Sequence, residues 1–275
     1  MGGNPAGVVL DADHLCADQK LSIAQRLGLS ETAFVSRSAI AAFRLEFFTP
    51  TRQIPHCGHA TIASFSYLRD QGLAPVGASS KETIDGIRQI EIGPDDVFMQ
   101  QPAASYFDLD AEQRALLLAS LGIGSGDLHG GLAPCVATTG NAFLLVPLAS
   151  VAALRALAPD SSAVLALSEQ LQLVGYYAFA LGASPGEPVA AARMFAPRFG
   201  IEEEAATGTA AGPLACLLHD RLACRELVMR FAQGHLMTPP SPSLLTARLS
   251  REGDTIRQVH VGGQAYVAAT RRIEV

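Results

Sequence analysis

Two stretches decide the fold: FTPTRQIPHCGHATIASFSYLRD at residues 48–70 and FAPRFGIEEEAATGTAAGPLACLLHD at residues 195–220. Each runs Phe-x-Pro, a short loop, Gly-x-Ala, and then an apolar segment ending at an acidic residue. Past the loop a single offset holds, so that Gly58 answers Gly208, Ala60 answers Ala210, Leu68 answers Leu218 and Asp70 answers Asp220. Self-similarity at a fixed spacing marks a repeated structural unit. The chain therefore reads as two homologous halves, one over 1–126 joined by the C-terminal segment 264–275, the other over 127–263. Both apolar segments predict helices, with Ala60, Ile62, Ala63, Phe65, Tyr67 and Leu68 in one and Ala210, Ala211, Leu214, Ala215, Leu217 and Leu218 in the other. A helix apolar on nearly every side must be enclosed, and in a strand-rich half the simplest enclosure is a sheet curled around it. Pro213 is expected to fall in the first turn, where a missing N–H costs nothing.

Around these stretches, short apolar or alternating runs bounded by Gly, Pro or Asp predict strands at 31–36, 42–49, 89–93, 96–101, 141–147, 176–181, 192–196, 226–232, 256–261 and 265–269. Helices are fewer: 18–27, with Asp18 as N-cap and Gly28 as the stop, then 111–121 and 150–157. Many strands with few helices make the class α+β. The turn from one half to the other falls near Gly122–Gly126 and Gly130–Gly131.

Composition narrows the function. With 49% hydrophobic and 17% charged residues, the chain is too apolar for disorder and holds enough for a sizeable core. The net charge is −6 and the 20 basic residues are scattered, which excludes a nucleic-acid partner. The longest uncharged stretch, 128–154, is interrupted by Gly130, Gly131, Pro134, Gly140, Asn141 and Pro147, so no membrane span fits. The opening MGGNPAGVVLDAD shows no secretion signal. Five cysteines without a C-x-x-C pair argue against a disulfide framework and for a reducing, cytoplasmic compartment.

The chemistry gathers at the repeat. A helix N-terminus has free N–H groups and a positive dipole end, and a glycine there lets a ligand approach the backbone. The segments at 58–60 and 208–210 are thus expected to hold a small carboxylate in a cleft between the halves. His59 is the candidate proton donor or acceptor. Glu31, set among Leu29, Phe34 and Val35, is a second candidate, and loss of hydration is expected to raise its pKa towards neutrality. Glu202, Glu203 and Glu204 either complement the start of the second helix or place one carboxylate facing Glu31, and Thr209 offers a hydroxyl where the first half has His59. His56-Cys57-x-His59 matches no common zinc spacing, so no metal is expected. No phosphate-binding glycine loop is present, and the two lysines, Lys20 and Lys81, are expected to lie away from the repeat, so no cofactor is expected either.

GNPAGVVL at 3–10, GLSETAFV at 28–35, FTPTRQIPHCGHAT at 48–61 and ATGTAAGPLACLL at 206–218 resemble the PhzF family of phenazine-biosynthesis-like proteins, relatives of diaminopimelate epimerase. FAQGH at 231–235 and VHVGGQAYV at 259–267 resemble it more weakly. The resemblance implies two pseudo-symmetric β-barrel halves around central helices, an active site between them, homodimers, and cofactor-free isomerisation of a small carboxylate by proton transfer. It assigns the acid/base role to Glu31, with His59 and Glu204 as its partners, and the family's serine position to Thr209. Cys57 and Thr207 stand where epimerase relatives carry a pair of thiols, so a two-thiol racemisation is excluded. The expected catalytic set is Glu31, His59 and Glu204, and the expected substrate-binding set is Cys57, Gly58, Ala60, Thr207, Gly208, Thr209 and Ala210. Glu204 and Ala205 replace the family's Asp and Pro. Members usually carry a strand ahead of GNP, so the start here reads either as shortened or as leaving an exposed sheet edge.

Overall fold

The computed structural model describes residues 2–182 and 188–274. It divides into two compact units, an N-terminal one (Pro5–Gln100 with Gly262–Val275) and a C-terminal one (Gln101–Val261 with the first four residues). The division falls at Gln101, ahead of the expected stretch at 122–126, because β8 and α3 pair and pack with later elements of the C-terminal unit.

In the N-terminal unit, β1 (Gly7–Val9), α1 (Ala17–Leu27), β2 (Thr32–Ser36), β3 (Phe43–Phe48), β4 (Gln53–Ile54), α2 (Gly58–Asp70), β5 (Gly77–Thr83), β6 (Gly86–Ile92) and β7 (Val97–Pro102) succeed one another. β1 pairs parallel with β2 and β2 antiparallel with β3, while β3 pairs parallel with β5 and β5 antiparallel with β6. β4 folds back on β3, and β6 pairs antiparallel with β7. Every residue of β2 is buried. One cluster joins Phe34 and Phe48, in edge-to-face contact at 5.5 Å, to Ile23 and Ala24 of α1. Phe65 of α2 meets Phe43 edge-on at 5.8 Å.

The C-terminal unit contains β8 (Ser105–Asp108), α3 (Ala111–Leu121), β9 (Cys135–Thr138), β10 (Ala142–Leu148), α4 (Val151–Ala156), α5 (Ser161–Gln170), β11 (Gly175–Leu181), β12 (Ala190–Ala196), β13 (Ile201–Glu204), α6 (Gly208–Leu222), β14 (Val228–Gln233), β15 (Ser243–Glu252) and β16 (Thr255–Gly263). Its sheet runs β16-β15-β14-β12-β11-β10-β9-β8, with β13 on β12. β10 pairs parallel with β11 and β11 antiparallel with β12, while β12 pairs parallel with β14 and β14 antiparallel with β15. That is the succession found from β1 to β6, with the helix pair α4–α5 in the place of α1 and α6 in the place of α2. Leu117 and Leu121 of α3 and Val164 and Leu167 of α5 close a core over Leu144, Val146, Tyr176 and Phe195. No helix of the described residues is long and apolar enough to cross a membrane.

Several local expectations need correction. α1 starts at Ala17 with Cys16, rather than Asp18, as N-cap, and the Cys16 N–H donates to Gln19 Oε1 at 3.0 Å. The run at 265–269 forms no strand: Tyr266 and Val267 are exposed and the segment joins no ladder. Pro213 lies at the sixth residue of α6, beyond the first turn, so it removes the N–H that would meet the Thr209 carbonyl. The helices differ in enclosure. Ten consecutive residues of α6, Ala210 to His219, are buried, whereas Ile62, Ala63 and Tyr67 of α2 are half-exposed.

Candidate active site

Both glycines chosen from the sequence open their helices. In the N-terminal unit Cys57 precedes α2 in extended conformation (φ −145°, ψ 124°), and its carbonyl accepts from the Thr61 N–H at 3.3 Å and the Thr61 hydroxyl at 2.6 Å. The chain reaches Glu31 by a tight route: α1 ends at Gly28 in the left-handed region (φ 64°), and Glu31 leads into β2. The Gly7 N–H donates to the Glu31 carbonyl at 3.0 Å, which fixes the backbone. A Cβ on Gly7 would stand 2.7 Å from Thr32 Oγ1 and 2.9 Å from Leu27 Cδ1, so only glycine allows this approach.

The Glu31 carboxylate then meets the helix start. Its Oε2 lies 3.2 Å from His59 Nε2, with both side chains largely buried. Cys57 Sγ lies 3.5 Å from His59 Nδ1 and 4.0 Å from Nε2. Burial pushes the Glu31 carboxyl up, but the close approach and charge of His59, together with a hydrogen bond from Ser30, outweigh it and hold the pKa below the ordinary 4.5. The expected rise is thereby corrected, because the desolvated carboxylate has a cationic partner in reach. The His59 approach is not aligned as a hydrogen bond to Oε2, which is left without a well-formed one. A buried carboxylate oxygen with an uncommitted lone pair can take up a proton.

Behind this start lies a group that the sequence did not reveal. Lys81, on β5, is fully buried, against the expectation that both lysines lie away from the repeat. Its Nζ donates to Thr61 Oγ1 at 2.6 Å, stands 3.0 Å from His56 Nδ1 and lies over the Phe47 ring at 4.9 Å. Burial pulls its pKa down to about 7 against the opposing charges of Cys57 and Asp85, with Arg88 adding to the fall. Burial and the Lys81 charge also push His56 well below its usual value. Thr61 links this cluster to the Cys57 carbonyl. The only signal in the sequence was a lysine at a position of β5 that alternation turns inward.

In the C-terminal unit Thr207 precedes α6 and Glu204 ends β13. Asn4 Nδ2 donates to Glu204 Oε1 at 2.9 Å and to the Ala206 carbonyl at 3.2 Å, and the Thr207 hydroxyl donates to Glu204 Oε2. Gln233, wholly buried, donates to the Glu204 carbonyl at 2.7 Å and to Thr207 Oγ1 at 3.1 Å, and accepts from the Thr207 N–H and the Tyr177 hydroxyl. Both Glu204 carboxylate oxygens thus hold protein donors. Glu203 pairs bidentately with Arg193 at 2.8 Å, and that guanidinium also caps the end of α4 through the Leu154 and Leu157 carbonyls. Among the backbone donors expected at 208–210, that of Ala210 is spent on the Thr207 carbonyl at 3.0 Å, leaving Gly208 and Thr209. Ala60 and Ala210 are wholly buried, so neither offers a side-chain surface.

The structure therefore brings Glu31, Cys57, Gly58 and His59 together at one helix start, and Glu204, Thr207, Gly208 and Thr209 at the other. Asn4 and Gln233 were missed as site residues although both stand in quoted motifs, because only a folded chain shows what they bond.

Comparison with known proteins identifies the family. The family model of the phenazine biosynthesis-like proteins matches residues 1–271. The uncharacterized isomerase YddE of Escherichia coli K12 is 35% identical over 240 residues, covering 85% of this chain and 80% of its own. A trans-2,3-dihydro-3-hydroxyanthranilate isomerase of Pseudomonas aeruginosa is 31% identical, covering 98% and 93%. The crystal structure of a Bacillus anthracis PhzF-family protein superposes with a TM-score of 0.86 at 25% identity, over 95% of this chain and 90% of that one. The chain belongs to the phenazine biosynthesis-like (PhzF) family and, like the Escherichia coli and Pseudomonas aeruginosa relatives, is an isomerase.

Proposed function

We propose that the protein isomerises a small carboxylate by moving one proton without a cofactor, with Glu31 as the shuttling acid/base. The observation that carries this reading is the buried Glu31 Oε2, lacking a well-aligned hydrogen bond and 3.2 Å from His59 Nε2. In one step Glu31 takes a C–H proton and the electron pair moves into the substrate's π system; in the next it returns the proton to a different carbon, which relocates the double bond. His59 tunes this exchange, since its proximity lowers the proton affinity of Glu31. The Gly58 N–H at the start of α2, on the same unit as Glu31, serves as a donor for the substrate carboxylate. Glu204, with both oxygens engaged, acts by holding the start of α6. A well-placed general acid/base contributes about 10²–10⁴-fold in rate.

The name of the Pseudomonas aeruginosa relative makes a dihydro-hydroxyanthranilate the first substrate to try. Matching strand pairings and the shared helix starts support an internal duplication, and the enclosed α6 supports a sheet wrapped around it. Five free cysteines support a reducing, cytoplasmic setting, and we place the protein there as a homodimer. The reaction is tested by incubating protein freed of metals by chelation with trans-2,3-dihydro-3-hydroxyanthranilate and a panel of small cyclic and acyclic carboxylates in D₂O. A shifted double bond with deuterium at the new C–H position is expected. Label at the original carbon with inverted configuration would instead establish an epimerase, and binding with no label in any compound would leave only a carboxylate-binding protein.

A further inference from the structure

The side chains that surround Glu31 have a second capacity. Among the described residues, Glu31, Cys57 and His59 bring a carboxylate oxygen, a thiol sulfur and an imidazole nitrogen within 4.8 Å of one another. We infer that these three side chains form a binding site for one zinc-like divalent cation, and that occupation of the site switches the enzyme off.

Donor chemistry selects the ion. One sulfur, one imidazole nitrogen and one carboxylate oxygen suit zinc or cobalt(II), whereas magnesium and calcium prefer oxygen donors throughout. The geometry is close to what such an ion needs. Tetrahedral zinc, with bonds of about 2.0–2.3 Å to O, N and S, separates its ligand atoms by about 3.3–3.6 Å. Here Glu31 Oε2 and His59 Nε2 are 3.2 Å apart, and Cys57 Sγ and the same Nε2 are 4.0 Å apart. Cys57 Sγ, within 4.8 Å of the Glu31 oxygen, has to draw inward for all three atoms to reach one ion. Three protein ligands leave the fourth position for water.

Charge favours the complex. One carboxylate and one thiolate bring the ligand charge to −2, which neutralises the ion. The positive end of α2 and the buried Lys81 oppose a cation, but neither contacts it, whereas thiolate and carboxylate bond to it directly. On binding, Cys57 loses its S–H proton and His59 any proton on Nε2, these protons leave to the buffer, and sulfur and nitrogen bond the metal with no change of oxidation state. The metal takes the Glu31 lone pair that a substrate proton would use; this consequence for catalysis, unlike the site itself, rests on the proposed role of Glu31.

Titration of the full, metal-free chain with cobalt(II) chloride tests the site. A near-ultraviolet thiolate-to-cobalt band with visible d–d bands is expected at one ion per chain, and zinc chloride should bleach both. The bands should survive in the Cys16→Ser/Cys224→Ser variant, vanish in Cys57→Ser, and require at least tenfold more cobalt in Glu31→Gln. Absence of the thiolate band in the wild type, or its persistence in Cys57→Ser, overturns the inference, and unchanged affinity in Glu31→Gln does so even where Cys57→Ser fails to fold. Deuterium exchange then separates the two readings. Zinc that binds at the site yet leaves exchange running contradicts the role of Glu31, whereas exchange in a chain that takes up no metal contradicts the metal site alone.

Discussion

Lys81 shows how one residue can shape the pH response of the fold. Its folded pKa of about 7 lies below the 10.5 of the free side chain. Between these values the unfolded chain holds more protons than the folded one, so stability rises with pH across the window, by up to about 1.4 kcal/mol per pH unit. Below about pH 7 both states are protonated and the effect stops growing. In Lys81→Met this slope is absent, so the wild type should gain stability on the variant between pH 7 and pH 9 in urea unfolding; midpoints that track each other at both pH values would contradict the burial of a titrating ammonium. Asn4 acts on a charge from outside. Asn4→Leu removes one donor from the Glu204 carboxylate and one from the Ala206 carbonyl, and a lost hydrogen bond to a charged group costs about 1.5–3 kcal/mol. A fall in the urea midpoint without change in its slope is expected, and an unaltered midpoint would show that water replaces Asn4 without loss. Neither residue could be read from the sequence. Lys81 and Thr61 meet only because β5 pairs with β3 over the face that α2 covers, and Asn4 meets Glu204 across most of the chain length. The pKa of Glu31 was misjudged for the same reason, since burial was legible from its apolar neighbours and the His59 charge was not.

At the scale of elements, α6 separates a glycine kept for packing from one with open space beside it. A Cβ on Gly212 would stand 2.1 Å from Gln101 Oε1 and 3.1 Å from Val261 Cγ1. The glutamine end cannot swing aside without breaking its buried hydrogen bond from Thr139, at 2.8 Å. Overpacking of this kind costs about 1–3 kcal/mol, which exceeds the gain of about 1 kcal/mol in helix propensity, so Gly212→Ala should lower the thermal midpoint. A Cβ on Gly208 meets only Val261 Cγ2, at 3.9 Å, an ordinary contact. Gly208→Ala should therefore fold with an unchanged thermal midpoint, and a fall like that of Gly212→Ala would contradict the open space at this helix start. Both helix starts were legible because a glycine before an apolar run is a local signal. β13 was not, since Ile201–Glu204 reads as an acidic cluster and becomes a strand only by pairing with β12. The run at 265–269 erred the other way, its apolar pattern finding no neighbouring strand.

For the whole molecule, the sequence disclosed most where signals were spread along the chain in a constant order. The motifs at 3–10, 28–35, 48–61 and 206–218 led to the family, and the many short strands with few helices to the α+β class; the family model agrees with the first and the Bacillus anthracis structure with the second. The order of strand pairing could not be read, because it depends on contacts between distant segments, yet it repeats from β1–β6 to β10–β15. Proton transfer at Glu31 is the step on which the proposed chemistry depends. Its most direct test is the rate of deuterium incorporation from D₂O into a turned-over substrate, measured by mass spectrometry for the wild type and for Glu31→Gln with its fold verified by circular dichroism. A loss of about 10²–10⁴-fold in the variant is predicted, with exchange in the wild type persisting to acidic pH because the Glu31 pKa lies below 4.5. Exchange in Glu31→Gln within about tenfold of the wild type, below the range of a general acid/base, would contradict that role.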